Sequence, residues 1–381
     1  MESKPDKFDV LTADVETIQG LLSCGNITSE NLVDLYLAQI SKHDGFLHAM
    51  IETASREILL RQAHDLDTER RAGNIRGPPH GIPIIIKDNI ATHPTLGLGT
   101  TAGSLALVGS KPRKNATIVD MLVRKGAIIL GKSNLSSLTL TFPYVCRRAK
   151  AAIGSTDRSR GPEITPPGVF LTGSWEDISV ATLDPKIWKL PDTFIKPVPE
   201  ADQQALKDIT EAYNAIRAKA KRFVENVPLT TVEAFNYNGE NRADMKPLLN
   251  DYLKGLEESK EVVHDNQDFF IQTQEQSLTA EQYEKTLEHL RSISRDHGID
   301  RILREFDVDV IIGPADSFIT SLATGSGYPV AGMPLSYLDF NGRPLGVAAL
   351  AGKNQDAALV KLMSAWEATF PKRKPPPQLV E

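Results

Sequence analysis

The sequence predicts an α/β architecture, and three neighbouring segments carry that expectation. Residues 82–86 are an apolar, β-branched run that follows the turn cluster Gly77-Pro-Pro-His-Gly81, the signature of a buried strand. Residues 115–125 are a short amphipathic helix with Ile118, Val119, Leu122 and Val123 on one face, stopped by Gly126. Residues 127–130 are the next strand. A strand, a crossover helix and a second strand make a parallel unit, which needs a sheet covered by helices.

The flanking elements fit that frame. Thr28-Ser29 offers an N-cap for a helix to about Lys42, with Leu32, Leu35 (or Tyr36) and Ile40 at helical spacing and Gly45 closing it. A second helix covers 54–71 and ends near Gly73. Pro83 is tolerated only because it begins its strand. Residues 147–168 are rich in breakers and lack any period, so they are expected to form a loop, and an irregular loop of that length inside an α/β chain suggests a lost segment. Beyond it, 178–182 is a strand. Ala205, Ile209, Ala212, Ile216, Ala220 and Phe223 mark a long helix, and Tyr283, Leu287 and Leu290 mark another over 280–295. Residues 308–312 form a strand ending at Gly313-Pro314, and the proline- and lysine-rich tail from Pro371 is expected to be solvated and disordered.

Composition narrows the function classes. The 381 residues are 41% hydrophobic and 24% charged, enough for a full-sized core. A net charge of −6, without a basic block, argues against a phosphate-backbone binder, so no nucleic acid partner is expected. Cys24 and Cys146 are isolated, which suits a reducing compartment. No apolar run reaches the length of a membrane span, and the charged opening residues lack the apolar core of a signal peptide. The expectation is a cytoplasmic protein with no membrane partner, and the sequons at Asn26, Asn115 and Asn134 are then chance matches.

Gly126-Ala-Ile-Ile-Leu-Gly131-Lys132-Ser133 matches the phosphate-loop pattern letter for letter. Its intervening residues prefer to be a strand rather than a loop that wraps phosphates, and Gly126 is better used as a helix stop. No serine has glycine at both −2 and +2, no two-histidine metalloprotease helix occurs, and the eight histidines are taken as surface or capping groups. Lys87 stands out at the end of its strand. Held behind apolar residues, its amine would lose hydration and serve as a general base; alternatively it reaches solvent or pairs with Asp88.

Three stretches resemble the amidase signature family. Pro79-His-Gly-Ile-Pro-Ile-Ile-Ile-Lys87-Asp88-Asn89 is similar to its lysine segment, followed by Thr100-Thr-Ala-Gly-Ser-Leu105 and by the helix and strand from Ala116 to Leu135. Asp307-Val-Asp-Val-Ile-Ile-Gly-Pro314, Gly327-Tyr-Pro329 and Asn341-Gly-Arg-Pro-Leu-Gly346 match its far end. The resemblance covers about 27–136 and 175–366. It implies a mixed twisted sheet covered by helices and hydrolysis of a small-molecule amide by side chains alone, with no cofactor and no metal. In the family a serine attacks the carbonyl, a second serine in an unusual cis peptide relays the proton to a lysine, and backbone N–H groups hold the oxyanion.

Carried over residue by residue, the resemblance assigns one catalytic position, Lys87. The glycine- and serine-rich signature should follow Asn134-Leu135 and is not recognisable, so both serines, the oxyanion loop and the central strands are expected to be missing. Of the surviving pairs, Gly103-Ser104, Gly154-Ser155, Gly173-Ser174 and Gly325-Ser326 each lack a recognisable base and oxyanion donors. The expected organisation is therefore an N-terminal part, 1–146; an irregular junction, 147–174; a C-terminal part, 175–370; and a tail, 371–381. Activity is expected to be impaired. The alternatives are a non-catalytic remnant that binds a small molecule or a protein, or a gene model that skipped coding sequence of an active amidase. The segment between Pro185 and Asp307 holds helices and a charged linker rather than a basic groove, which resembles fungal-type stand-alone homologues more than a component of a tRNA amidotransferase. Losing central strands would expose sheet edges and lower stability. No oligomeric state is read from these residues.

Overall fold

The computed structural model describes residues 9–103, 107–134, 170–190, 192, 196–230, 254, 275, 279–371 and 374–375. The irregular stretch 147–168 lies outside the described residues. The chain divides into two compact units, Met1–Thr156 with Asp244–Ser277, and Asp157–Ala243 with Leu278–Glu381.

The first unit is built on a three-stranded sheet. Helix α1 (Val15–Ser23) is capped by Asp14, whose carboxylate accepts from the Thr17 N–H. Helix α2 (Ser29–Leu47) starts with a capping box between Thr28 and Asn31. It does not stop at Gly45. A glycine is tolerated inside a helix, and the stop comes at His48, which takes the left-handed conformation at φ 47°. Strand β1 (Met50–Thr53) follows, then α3 (Arg56–Arg71) capped by Ser55, β2 (Pro83–Lys87), α4 (Thr117–Arg124) and β3 (Ile128–Ser133). The order is β1-β3-β2, with β2 parallel and β1 antiparallel to the central β3.

Leu59, Ala63 and Leu66 of α3, Val33 of α2 and Val119 of α4 pack on Ile86, Ile128 and Leu130. Each such side chain contributes roughly 1.5–3 kcal/mol of burial. Ile118 departs from the expected face and is 50% exposed. It lies about 100° round the helix from Val119, so a short helix on a narrow sheet buries one and leaves the other in water.

His80 corrects the expectation that the histidines are surface or capping groups, because it is fully buried. Its Nδ1 accepts from the Arg76 N–H at 3.2 Å, which leaves Nε2–H to donate to the Leu66 carbonyl at 3.0 Å. A side chain at Gly126 would meet this ring at 2.8 Å, and the φ of +86° there also asks for glycine.

The second unit contains β4 (Ser179–Thr182), α5 (Pro199–Arg217), β5 (Arg222–Val224), α6 (Ala280–Ser294), α7 (Asp300–Phe306), β6 (Val310–Pro314), α8 (Ile319–Ser326), β7 (Val330–Tyr337), β8 (Pro344–Ala351) and α9 (Asp356–Thr369). The five-stranded sheet runs β5-β4-β6-β8-β7 and is mixed: β5, β4 and β6 are parallel, whereas β8 is antiparallel to both of its neighbours. Both faces are covered, so the strands bury side chains on both sides. Val310 and Ile312 face α5 and α9 with Ile209, Ile216, Leu362 and Trp366. Ile311 and Leu350 face α7 and α8 with Ile302, Ile319 and Leu322.

The long helix expected through Phe223 ends at Arg217, and Phe223 belongs to β5. Lys219 and Ala220 both donate back to the Ile216 carbonyl, and Lys221 then bonds to Trp175 and Ile178. Phe223 still packs on the same core, which is why its spacing looked helical. Between α6 and α7, Arg295–Ile299 form a widened π turn around Gly298, whose φ/ψ of −106°/−108° is not helical. A side chain at Gly298 would collide with the Ile293 carbonyl. In the tail, the Lys374 backbone is tied to the Tyr337 hydroxyl. Among the described residues, no helix is long and apolar enough to cross a membrane.

Candidate active site

The site is read upward from the end of β2. The parallel register sets Ile86 beside Lys132 and Lys87 beside Ser133. Because side chains alternate along a strand, Lys87 projects from the face opposite to Ile86. Ile86 is buried in the core, whereas Lys87 is exposed. Its Nζ donates to the Asn134 carbonyl at 2.6 Å. The burial expected at Lys87 is therefore not found: the apolar residues before it point alternately away, and the strand ends where it stands.

The chain then turns tightly, with the Ile90 N–H donating to the Lys87 carbonyl at 3.0 Å. Asp88 is 1% exposed and faces inward rather than pairing with Lys87. Its carboxylate accepts from the Thr101 N–H and hydroxyl, the latter at 2.5 Å, and from the Gly103 N–H at 3.0 Å. Ala102 and Gly103 both take positive φ, so their stretch of backbone curls its N–H groups around the carboxylate. The segment that follows the lysine segment in the family resemblance is thus fastened to the lysine turn through Asp88. Asn89 is 8% exposed, and both polar atoms of its amide are buried without a partner among the described residues.

Sequence reasoning missed Lys132. It stands on the central strand, is 0% exposed, and donates to the Ile90 carbonyl at 2.6 Å and to Thr100 Oγ1 at 3.0 Å. Burial brings its pKa down to about 8, while the carboxylates of Asp88 and Glu52 pull the other way. Lys132 and Asp88 together pin the turn after Lys87 from beneath. The available signal is a lysine at the end of an apolar strand, which the match of Gly131-Lys132-Ser133 to a phosphate-loop pattern obscures. Those letters are strand: Gly131 is there because a Cβ would come within 2.5 Å of the Glu52 carbonyl on β1.

Among the described residues the hydrogen-bond partner of Lys87 Nζ is a carbonyl, not a serine hydroxyl. Ser326 is fully buried, with its hydroxyl donating to the Ala323 carbonyl and accepting from the Tyr328 N–H, which is the role of a helix-end fastener. Ser174 accepts from the Glu176 N–H in a local turn. Ser104 and Ser155 lie outside the described residues. No cluster of metal-ligating side chains occurs among the described residues. What the described corner offers chemically is an accessible amine on a turn that is held rigidly from below.

A family model described as Amidase matches residues 31–168. A protein of Arabidopsis thaliana named as a probable amidase is 27% identical, over 97% of this chain and 92% of the relative; that alignment is 478 positions long, longer than the chain itself. A component of the glutamyl-tRNA(Gln) amidotransferase of Chloroflexus aurantiacus is 36% identical over 126 residues, which is 33% of this chain and 25% of the relative. Among solved structures, the native peptide amidase of Stenotrophomonas maltophilia superposes with a TM-score of 0.71 at 20% identity, over 96% of this chain and 98% of that one. An amidase family protein of Bacillus anthracis gives 0.78 at 16% identity, over 96% and 92%. At such identities the superpositions speak for the fold, a mixed α/β sheet with helices.

Proposed function

This chain belongs to the amidase signature family, and from that premise we propose that it is a C–N hydrolase by descent, acting on a small-molecule amide, in which Lys87 is the base and hydrolysis is impaired. The observation that carries the reading is Lys87 itself: an accessible amine closing β2, with the next residue, Asp88, locked by Thr101 and Gly103. In the intact reaction a serine oxygen bonds to the amide carbon while its proton passes to the lysine. The C–N bond then breaks as the leaving nitrogen takes a proton, and water releases the acid. Two features support impairment. The Lys87 amine is exposed at the end of its strand, and its Nζ donates to the Asn134 carbonyl. The glycine- and serine-rich signature is not recognisable in the sequence after Asn134-Leu135.

The reaction uses side chains alone, so neither a metal nor an organic cofactor belongs to the proposal. Small amides are the expected partners, with neither nucleic acid nor membrane, in the cytoplasm. A fluorophosphonate probe and a panel of simple amides test the catalytic part. Labelling and ammonia release, both abolished in Lys87→Ala, support hydrolysis; their absence from the wild type, in a folded protein, leaves descent without activity. The excess length of the plant alignment favours a second reading, in which coding sequence was skipped in the gene model. Transcript sequencing decides it: a messenger encoding these 381 residues removes that reading.

A further inference from the structure

We propose that the end of this chain, residues 376–381, docks into a cavity of about 390 Å³ in the second unit. The cavity lies at the carboxyl ends of β4 and β6: Trp188 follows β4, Pro314 ends β6, and Leu206, Ile209 and Leu345 from α5 and β8 line it. Trp188, Ile209 and Leu345 are buried, so the cavity is set into the core, whereas Phe340 of the lining is 54% exposed. Grooves lined by aromatic rings are the usual receptors of proline-rich segments. The inference does not rest on the hydrolase reading and shares none of its residues.

The tether selects this occupant first. The Tyr337 hydroxyl donates to the Lys374 carbonyl at 2.7 Å and accepts from the Lys374 N–H at 2.8 Å, and Pro375 beyond it is half-buried. Tyr337 immediately precedes Leu338 of the lining. Its carbonyl accepts at 3.0 Å from Gln204, which stands on α5 one position before Ala205 of the lining. The tail thus sets out from the border of the cavity. Reach comes second. Prolines 375–377 in succession favour an extended helix that rises about 3.1 Å per residue, so the chain from Lys374 to Leu379 spans about 16 Å. Chemistry comes third. Leu379 and Val380 suit an apolar lining, and Glu381 is the only charged residue after Lys374. Among the charged lining groups, Lys186, Lys189 and Lys196 outnumber Asp192 and Asp202, while Arg343 and Asp316 are paired with each other. That surplus is small, so burial of the two apolar side chains contributes more than charge.

The test compares the full chain with a full-length variant carrying Leu379→Asp and Val380→Asp, whose tail cannot fill an apolar cavity. The probe is the acetylated peptide of residues 376–381. Binding is followed by tryptophan fluorescence, with Trp188→Phe assigning the signal to this cavity, and circular dichroism confirms that each variant is folded. The variant is expected to bind the peptide at least about tenfold more tightly than the wild type, whose own tail competes at a millimolar effective concentration. Adding Leu206→Trp to the variant fills the cavity and should abolish that binding. Equal binding by wild type and variant, no binding by the folded variant, or binding that survives Leu206→Trp overturns the inference. A wild-type dimer that disappears in the tail variant would seat the tail on a second copy, and would overturn docking within one chain.

Discussion

Lys87 and Lys132 end up in opposite environments although they stand on paired strands, one register step apart. Lys132 sits beside Ile86 and so shares the face that the core covers; Lys87, one residue further on, turns to the other side. One ammonium is 0% exposed and donates to the Ile90 carbonyl and the Thr100 hydroxyl, and the other is exposed on a single carbonyl. The contrast teaches that strand parity and the identity of the neighbouring strand decide a lysine's environment more than the apolar character of the residues around it in sequence. It also separates two settings: the buried amine holds the turn, and the exposed one reaches only the Asn134 carbonyl at the strand end.

The sharpest way to break that contrast is to remove each amine in turn. Lys132→Ala leaves a cavity in place of a fully buried side chain and the Ile90 carbonyl without its donor, and should cost about 3–5 kcal/mol in urea unfolding. Lys87→Ala should stay within about 0.5 kcal/mol of wild type by the same measurement. A larger loss at Lys87 than at Lys132 would reverse the assignment of roles.

Titration gives the next largest effect. The folded-state pKa of Lys132 lies at about 8 against an ordinary 10.5, so between those values the unfolded chain keeps a proton that the folded chain has shed. Stability from this group is therefore lowest and constant below pH 8 and rises through pH 8 to 10.5, by about 3 kcal/mol at roughly 1.4 kcal/mol per pKa unit. The measurement is the difference in unfolding free energy between wild type and Lys132→Met across that window. A flat difference would mean that the amine is not buried in its charged form.

Asp88→Asn is expected to cost about 1–3 kcal/mol, because one of its oxygens is replaced by a donor facing the N–H groups of Thr101 and Gly103. Since Asp88 holds the Lys132 pKa up, the substitution should also lower that pKa further, which nuclear magnetic resonance of a labelled Lys132 would read directly. The smallest effect is chemical: competitive acetylation near pH 7 should modify Lys87 well before Lys132, and the reverse order would refute the exposure contrast.

Much of the first unit was legible from local signals. The cap at Thr28, the turn cluster before β2 and the glycine after α4 each have a short-range physical cause, and the elements begin or end beside them as expected. What failed to show depends on distant partners. His80 is buried because Leu66 and Gly126 receive it, and Lys132 is buried because Ile86 pairs with it. Phe223 looked helical because it packs on the helix's own core from a strand. The candidate site followed the same division: Lys87 was read from its segment, but the network beneath it joins residues 88, 90, 100, 101 and 132. No local window spans them.

The widened turn at Arg295–Ile299 carries a consequence for how this chain tolerates change. It is a kink between two helices: Gly298 leaves the helical region there, and α7 starts anew beyond it. Each residue of an α-helix advances about 100°, so losing one residue at the kink would turn Ile302 away from the partners that now surround it. Length at this spot is a gear setting rather than slack: the exposed Asp296 and His297 can drift, but Gly298 and the fully buried Ile299 cannot, and a single in-frame codon loss would unseat a whole face of the second unit.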